Sequence, residues 1–129
     1  MRLAAAALTV SVTAAMIEKG QTLVAEDRNS EPIGITAVEK MQTARKFDLS
    51  LLFVEPSAIR TGVGRTLFEA AIRLVERQGA TSLSILADPF AAGFYQRLGA
   101  VKIGEAPSDA IPGRYLPLFE YTIASAVSR

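Results

Sequence analysis

The chain of 129 residues has no cysteine, no histidine and no tryptophan. Without cysteine there is neither a disulfide scaffold nor a thiol nucleophile; without histidine there is no imidazole base, and together the two absences remove the usual zinc ligand sets. Any catalysis must come from carboxylates, hydroxyls, Lys, Arg and the main chain, and no metal is expected. Charge of one sign is also lacking. The 14 basic and 13 acidic residues leave a net charge of +1, which suggests neither a nucleic-acid footprint nor a polyacidic partner. The apolar stretch near the start is short for a membrane span and is interrupted by Thr9, Ser11 and Thr13. One Arg ahead of alanines resembles a brief secretory signal. The preferred reading is a packed helix over residues 3–17, closed by Lys19 in its last turn and Gly20 as its cap.

What remains is ordinary for a cytoplasmic globular protein: 50% of the residues are hydrophobic and 21% charged, enough for one domain with one modest core. After Gly20 the pattern becomes strand-like. Residues 22–26 and 33–39 flank a polar segment and read as a hairpin with a loop. Phe47, Leu49, Leu51 and Phe53 alternate with other residues and predict a strand whose one face carries all four, stopped by Pro56. Leu67, Phe68, Ala71, Ile72 and Val75 recur at three and four residues, so 65–78 is an amphipathic helix ended by Gly79. A strand around Leu83 to Ala87, a short helix over 91–98, a strand at Val101 and Ile103, and a long last strand over 115–123 complete the order. A strand, a helix and a further strand call for a right-handed crossover within a mixed sheet covered by helices.

Between the strand ending near Val54 and the helix lies Glu55-Pro-Ser-Ala-Ile-Arg-Thr-Gly-Val-Gly-Arg-Thr66. Gly62 and Gly64 remove side chains where the chain bends, so that successive N–H groups can converge on an anion at the positive end of the new helix. Arg60 and Arg65 add formal charge. The segment completes neither a triphosphate loop, which needs Gly-Lys-Ser/Thr, nor a dinucleotide fingerprint.

Taken with Asp88-Pro-Phe-Ala-Ala-Gly-Phe-Tyr-Gln-Arg-Leu-Gly99, which follows after one helix and one strand, the loop resembles the GCN5-related N-acetyltransferase family. The resemblance covers roughly residues 20–123. It implies an α/β acetyltransferase fold: a mixed central sheet with a splayed strand pair and helices on both faces, forming a single domain over 1–129. That family begins with a further strand and two helices, so the chain is short at its N-terminus. A homodimer is expected to cover what is missing.

The activity implied is acetyl transfer from acetyl-CoA to a primary amine of a small molecule or protein. A non-catalytic acyl-CoA-binding or regulatory module is the alternative. The resemblance assigns the cofactor's pyrophosphate to Arg60, Thr61, Gly62, Val63, Gly64, Arg65 and Thr66, and its pantetheine arm to the main chain of Phe53 and Val54. Ile59 stands where the family carries Gln or Arg, with Arg60 one position later as its substitute. Tyr95 is implied as the proton donor to the departing thiolate, a role its phenol suits chemically; as a plain core aromatic it would have no such role. Glu55 is the candidate base, with Asp48 and Glu39 on neighbouring strands behind it. Phe90 departs from an Asn that contacts the cofactor in relatives. Ser108 and Arg114 lie in a proline-bounded loop that either closes over the acceptor or only leads into the last strand.

Overall fold

The computed structural model describes residues 13–17, 20–43, 45–108 and 110–123. Its elements are β1 (Thr13–Ile17), β2 (Gly20–Glu26), β3 (Pro32–Lys40), β4 (Lys46–Val54), α1 (Val63–Glu76), β5 (Ser82–Leu86), α2 (Ala92–Arg97), β6 (Val101–Pro107) and β7 (Tyr115–Thr122). The seven strands form one sheet in the order β1-β2-β3-β4-β5-β7-β6. Only β4 and β5 are parallel, joined by the α1 crossover that the strand-helix-strand pattern demands.

The helix expected over 3–17 is corrected where it can be compared. Residues 13–17 are a strand paired with β2, and Gly20 opens β2 instead of capping a helix. Residues 3–12 lie outside the described residues. The alanine-rich composition favours a helix locally, so it hid a strand that exists through pairing; tertiary context overrides local preference.

Both described helices lie on one face of the sheet. Phe119 and Tyr121, two apart in β7, share that face; Phe68 of α1 stands edge-on to Tyr121 with ring centroids 5.4 Å apart, and Tyr95 of α2 lies 6.3 Å from Phe119. Val63, Leu67, Phe68, Ala71, Leu74 and Val75 form the buried stripe of α1, the three- and four-residue spacing read from the sequence. The helix starts two residues earlier than its periodicity suggested, because Val63 also packs inward. Gly34 in β3 permits the contact. A Cβ there would sit 2.7 Å from Leu67 Cδ1 and 3.1 Å from Val63 Cγ1, so a larger residue forces these two core side chains of α1 to shift. Truncating fully buried Phe68 to Ala would cost about 3–5 kcal/mol.

The strand entering the crossover departs from simple alternation. Pairs from Gly34↔Val54 to Ala37↔Leu51 follow one register, whereas Val38↔Leu49 to Lys40↔Phe47 follow another, leaving Ser50 as an extra residue in β4. Such a bulge reverses which face the following residues meet. Phe47 and Leu49 point into the core with the helices; beyond Ser50 it is Leu52 and Val54 that do so, and Leu51 and Phe53 turn to the other face, 43% and 52% exposed. The expected single face of Phe47, Leu49, Leu51 and Phe53 is therefore split in two. The bulge is anchored by Thr36 Oγ1 donating to the Leu51 carbonyl at 2.8 Å, and Ser50 Oγ donating to that of Ala37 at 3.3 Å.

Candidate functional site

β4 and β5 pair from Lys46↔Ser82 to Leu49↔Ile85 and then part, so the final stretch of β4 stays with β3 while β5 continues against β7. The separation begins at the bulged Ser50. It leaves the β5-facing edge of residues 51–54 without a strand partner. Glu55 N–H donates to the Ile33 carbonyl at 2.9 Å, which fixes the phase of the antiparallel ladder: Phe53 shares the phase of Glu55 and directs its N–H and C=O to β3, while Leu52 and Val54 direct theirs into the gap. The gap thus offers donors and acceptors spaced as in a strand. Of the two residues named from the sequence, Val54 faces the gap through its main chain and Phe53 faces β3, while Leu52 also faces the gap. The sequence carried no hint of this, because the phase depends on the bulge.

At the open end of the gap the chain passes through a 3-10 turn at Pro56–Ala58 and enters α1. Thr66 N–H makes the first helical bond, to the Gly62 carbonyl at 3.0 Å. The N–H groups of Val63, Gly64 and Arg65 accordingly have no acceptor within the helix, and α1 adds its positive end to them. Gly62 has φ 94° and a Cβ there would meet nothing, so the glycine serves the backbone turn and leaves open space before the helix. Arg60 takes φ 73°, a left-handed conformation costing a non-glycine residue about 1 kcal/mol or more. Gly64 has a different reason: a Cβ would lie 3.3 Å from Phe94 Cζ and 3.6 Å from Val54 Cγ2, where α2 closes on the loop. The Thr61 hydroxyl donates to the Ala58 carbonyl and the Thr66 hydroxyl to that of Gly62, so both shape the bend. Arg65 Nε pairs with Glu69 at 3.0 Å, and Ile59 is exposed.

Tyr95 and Glu55 lie on opposite faces of the sheet. Tyr95 is 6% exposed within a ring cluster, its centroid 6.0 Å from Phe68 and 5.1 Å from Phe94, and burial pushes its phenol up from 10.0 to about 12. It is a core aromatic by packing, and it holds its proton at every ordinary pH. Glu55 is exposed at the rim of a groove of about 410 Å³ lined also by Val24, Ile33, Ile35 and Phe53. Asp48 stands across from Glu39 on one side and Ser84 on the other, one pair before the strands part. Asp88 Oδ1 accepts the Phe90 N–H at 2.8 Å and so caps its own turn, with Phe90 almost wholly exposed.

Ser108 and Arg114 close the β6–β7 connection on themselves: Ser108 N–H donates to the Arg114 carbonyl at 2.7 Å, and Ser108 Oγ accepts from the N–H groups of Ala110 and Ile111. The loop lies past the C-terminal end of β5, the same end at which the gap opens.

A splayed parallel pair, a strand edge able to bind an amide-bearing arm and a helix start able to bind phosphates together suit a long molecule with a pyrophosphate at one end. The structure superposes on several solved proteins of one kind. Against an aminoglycoside 6'-N-acetyltransferase solved with coenzyme A the TM-score is 0.72 at 16% identity, over 83% of this chain and 74% of that one. Nourseothricin acetyltransferase gives 0.72 at 22% identity over 81% and 65%. Tetrahymena GCN5 gives 0.69 at 21% over 84% and 71%. These likenesses establish the fold, a mixed sheet with its crossover helices. The family model of the GNAT acetyltransferase domain matches residues 4–110. With that match spanning most of the sequence, the chain belongs to the GNAT family and is an acetyl-CoA-dependent N-acetyltransferase.

Proposed function

We propose that the protein transfers the acetyl group of acetyl-CoA directly to a primary amine of a small molecule or of a protein. The supporting observation is the gap beside Leu52 and Val54 running to the start of α1. The pantetheine arm adds to β4 as a short extra strand, the pyrophosphate meets the N–H groups of Val63, Gly64 and Arg65, and Arg60 supplies charge. An N–H of β4 aimed into the gap polarises the thioester carbonyl. The neutral amine forms a bond to the carbonyl carbon, the carbon–sulfur bond breaks, the thiolate gains a proton and the new amide nitrogen loses one. Tyr95 on the helix side is the proposed donor and Glu55 on the opposite side the proposed acceptor of the amine's proton, with Ser108 and Arg114 at the acceptor's end. Because the thioester lies in the plane of the sheet, the amine and the acid reach it from separate faces.

The test is release of free CoA thiol from acetyl-CoA across a broad panel of amines. Amine-dependent release by the wild-type protein is expected, and its absence for every amine despite CoA binding would instead support a non-catalytic acyl-CoA-binding module. One observation favours that second reading: β1 and β2 are separated by Glu18 and Lys19 alone, so no helical segment between them walls the acceptor side. In the reading we prefer, a second copy of the chain covers the open face bearing Leu51 and Phe53, and the protein is a cytoplasmic homodimer. Light scattering at micromolar concentration should give twice the 13.8 kDa chain mass, and a monomer mass would remove the dimer.

A further inference from the structure

On the sheet face away from the helices, Val24, Ile35 and Phe53 stand in one row, since Val24 pairs with Ile35 and Ile35 with Phe53 across β2, β3 and β4. Neighbouring strands lie about 4.8 Å apart, so the row is about 10 Å long. It forms the wall of the groove of about 410 Å³ at whose rim Glu55 lies. Phe53 ends the row on β4, the strand whose far edge borders the gap. Glu55 follows two residues later on the same side of the chain, and among the described residues it is the only charged group lining the groove. The groove is therefore apolar at β2 and meets a single carboxylate at β4.

That polarity selects among amines. A hydrocarbon or aromatic body laid along Val24, Ile35 and Phe53 leaves water and gains contact with all three side chains. Hydroxyl groups in the same place would give up hydrogen bonds to water and find no partner on this wall. A second or third ammonium group would need further carboxylates, and the groove supplies one. The length of the row suits one ring or branched chain on a short linker. Leu51 is outside the lining, so a second copy of the chain laid over Leu51 stands beside the groove and closes its open side without filling it.

We propose that the acceptor is a monoamine with an apolar body, aryl or branched alkyl, lying across β2, β3 and β4 with its nitrogen at the gap. The inference rests on the acetyl-transfer reading of that gap and narrows it to one class of amine. Glu55 first attracts the ammonium group and then takes its proton, leaving the neutral nitrogen beside the thioester held along Leu52 and Val54. Polyamines and amino sugars, with several cations and many hydroxyls, do not match this lining.

The experiment measures thiol release from acetyl-CoA with phenethylamine, ethanolamine and spermidine, and calorimetric binding of phenethylamine to the CoA-loaded full chain. Wild type, Phe53→Ala and Val24→Thr are compared, each checked for an unchanged urea midpoint; Phe53 is half exposed and Val24→Thr keeps the side-chain shape. Burial of the ring predicts that wild-type kcat/KM for phenethylamine exceeds that for ethanolamine and for spermidine by at least about tenfold. Both substitutions should narrow that ratio, chiefly through a higher KM for phenethylamine, and weaken its binding. Turnover that favours ethanolamine or spermidine, or a phenethylamine preference that both variants keep, would overturn the groove assignment while leaving acetyl transfer in place. Phenethylamine binding that weakens in both variants, with no thiol release for any amine, would support the groove and overturn the transfer reading. Neither turnover nor amine binding would overturn both.

Discussion

Raising the pH through the range where phenols ionise should destabilise this protein through Tyr95 in particular. In the unfolded chain the phenol titrates near 10.0; in the fold, burial moves it to about 12. Below pH 10 the group is neutral in both states and contributes nothing to pH dependence. Between the two values the unfolded chain loses its proton and the folded one keeps it, so ionisation favours unfolding and stability falls as pH rises. Two pKa units at 1.36 kcal/mol each bound the loss at about 3 kcal/mol, a sizeable share of the 5–15 kcal/mol typical of a domain. Urea unfolding followed by circular dichroism from pH 8 to pH 12 measures it. Tyr95→Phe retains the ring among Phe68, Phe94 and Phe119 and removes the titrating group, so its alkaline decline should be shallower by up to that amount. Parallel declines in the two proteins would refute the reasoning and place the Tyr95 hydroxyl in contact with water.

In the same variant, if Tyr95 protonates the departing thiolate, kcat should fall by a factor on the order of 10² with acetyl-CoA binding retained; steady-state kinetics with an accepted amine decide it, and wild-type turnover would leave Tyr95 a packing residue. Arg60→Gly should release the strain of a residue at φ 73°, leaving thermal stability unchanged or raised by up to about 1 kcal/mol, while calorimetry shows weaker CoA binding; a large loss of stability would contradict this. Gly34→Val should destabilise by about 1–3 kcal/mol or more through contact with Leu67 and Val63, read as a lowered urea midpoint.

The helix and loop of the site could be read from the sequence because their causes are local. Periodicity places Leu67, Phe68, Ala71 and Val75 on one side, and Gly62 marks a bend that needs φ 94°. The bulge at Ser50 could not be read, since nothing in Ser-Leu-Leu-Phe marks an extra residue; it is visible only when β4 is laid against β3. Everything that follows from it, the faces of Leu51 and Phe53 and the open N–H of Leu52, was out of reach for the same reason. The first strand was not legible because alanine favours a helix locally, and only the pairing with β2 overrides that preference.

The central claim is that acetyl-CoA lies along β4 with its pyrophosphate on the start of α1, and amide chemical shifts test it most directly. In proton–nitrogen correlation spectra of the labelled protein titrated with CoA, the account predicts the largest changes at the N–H groups of Leu52, Val54, Val63, Gly64 and Arg65, with Phe53, bonded to β3, moving less. Saturable binding that leaves these five unmoved, or changes confined to another surface, would contradict it.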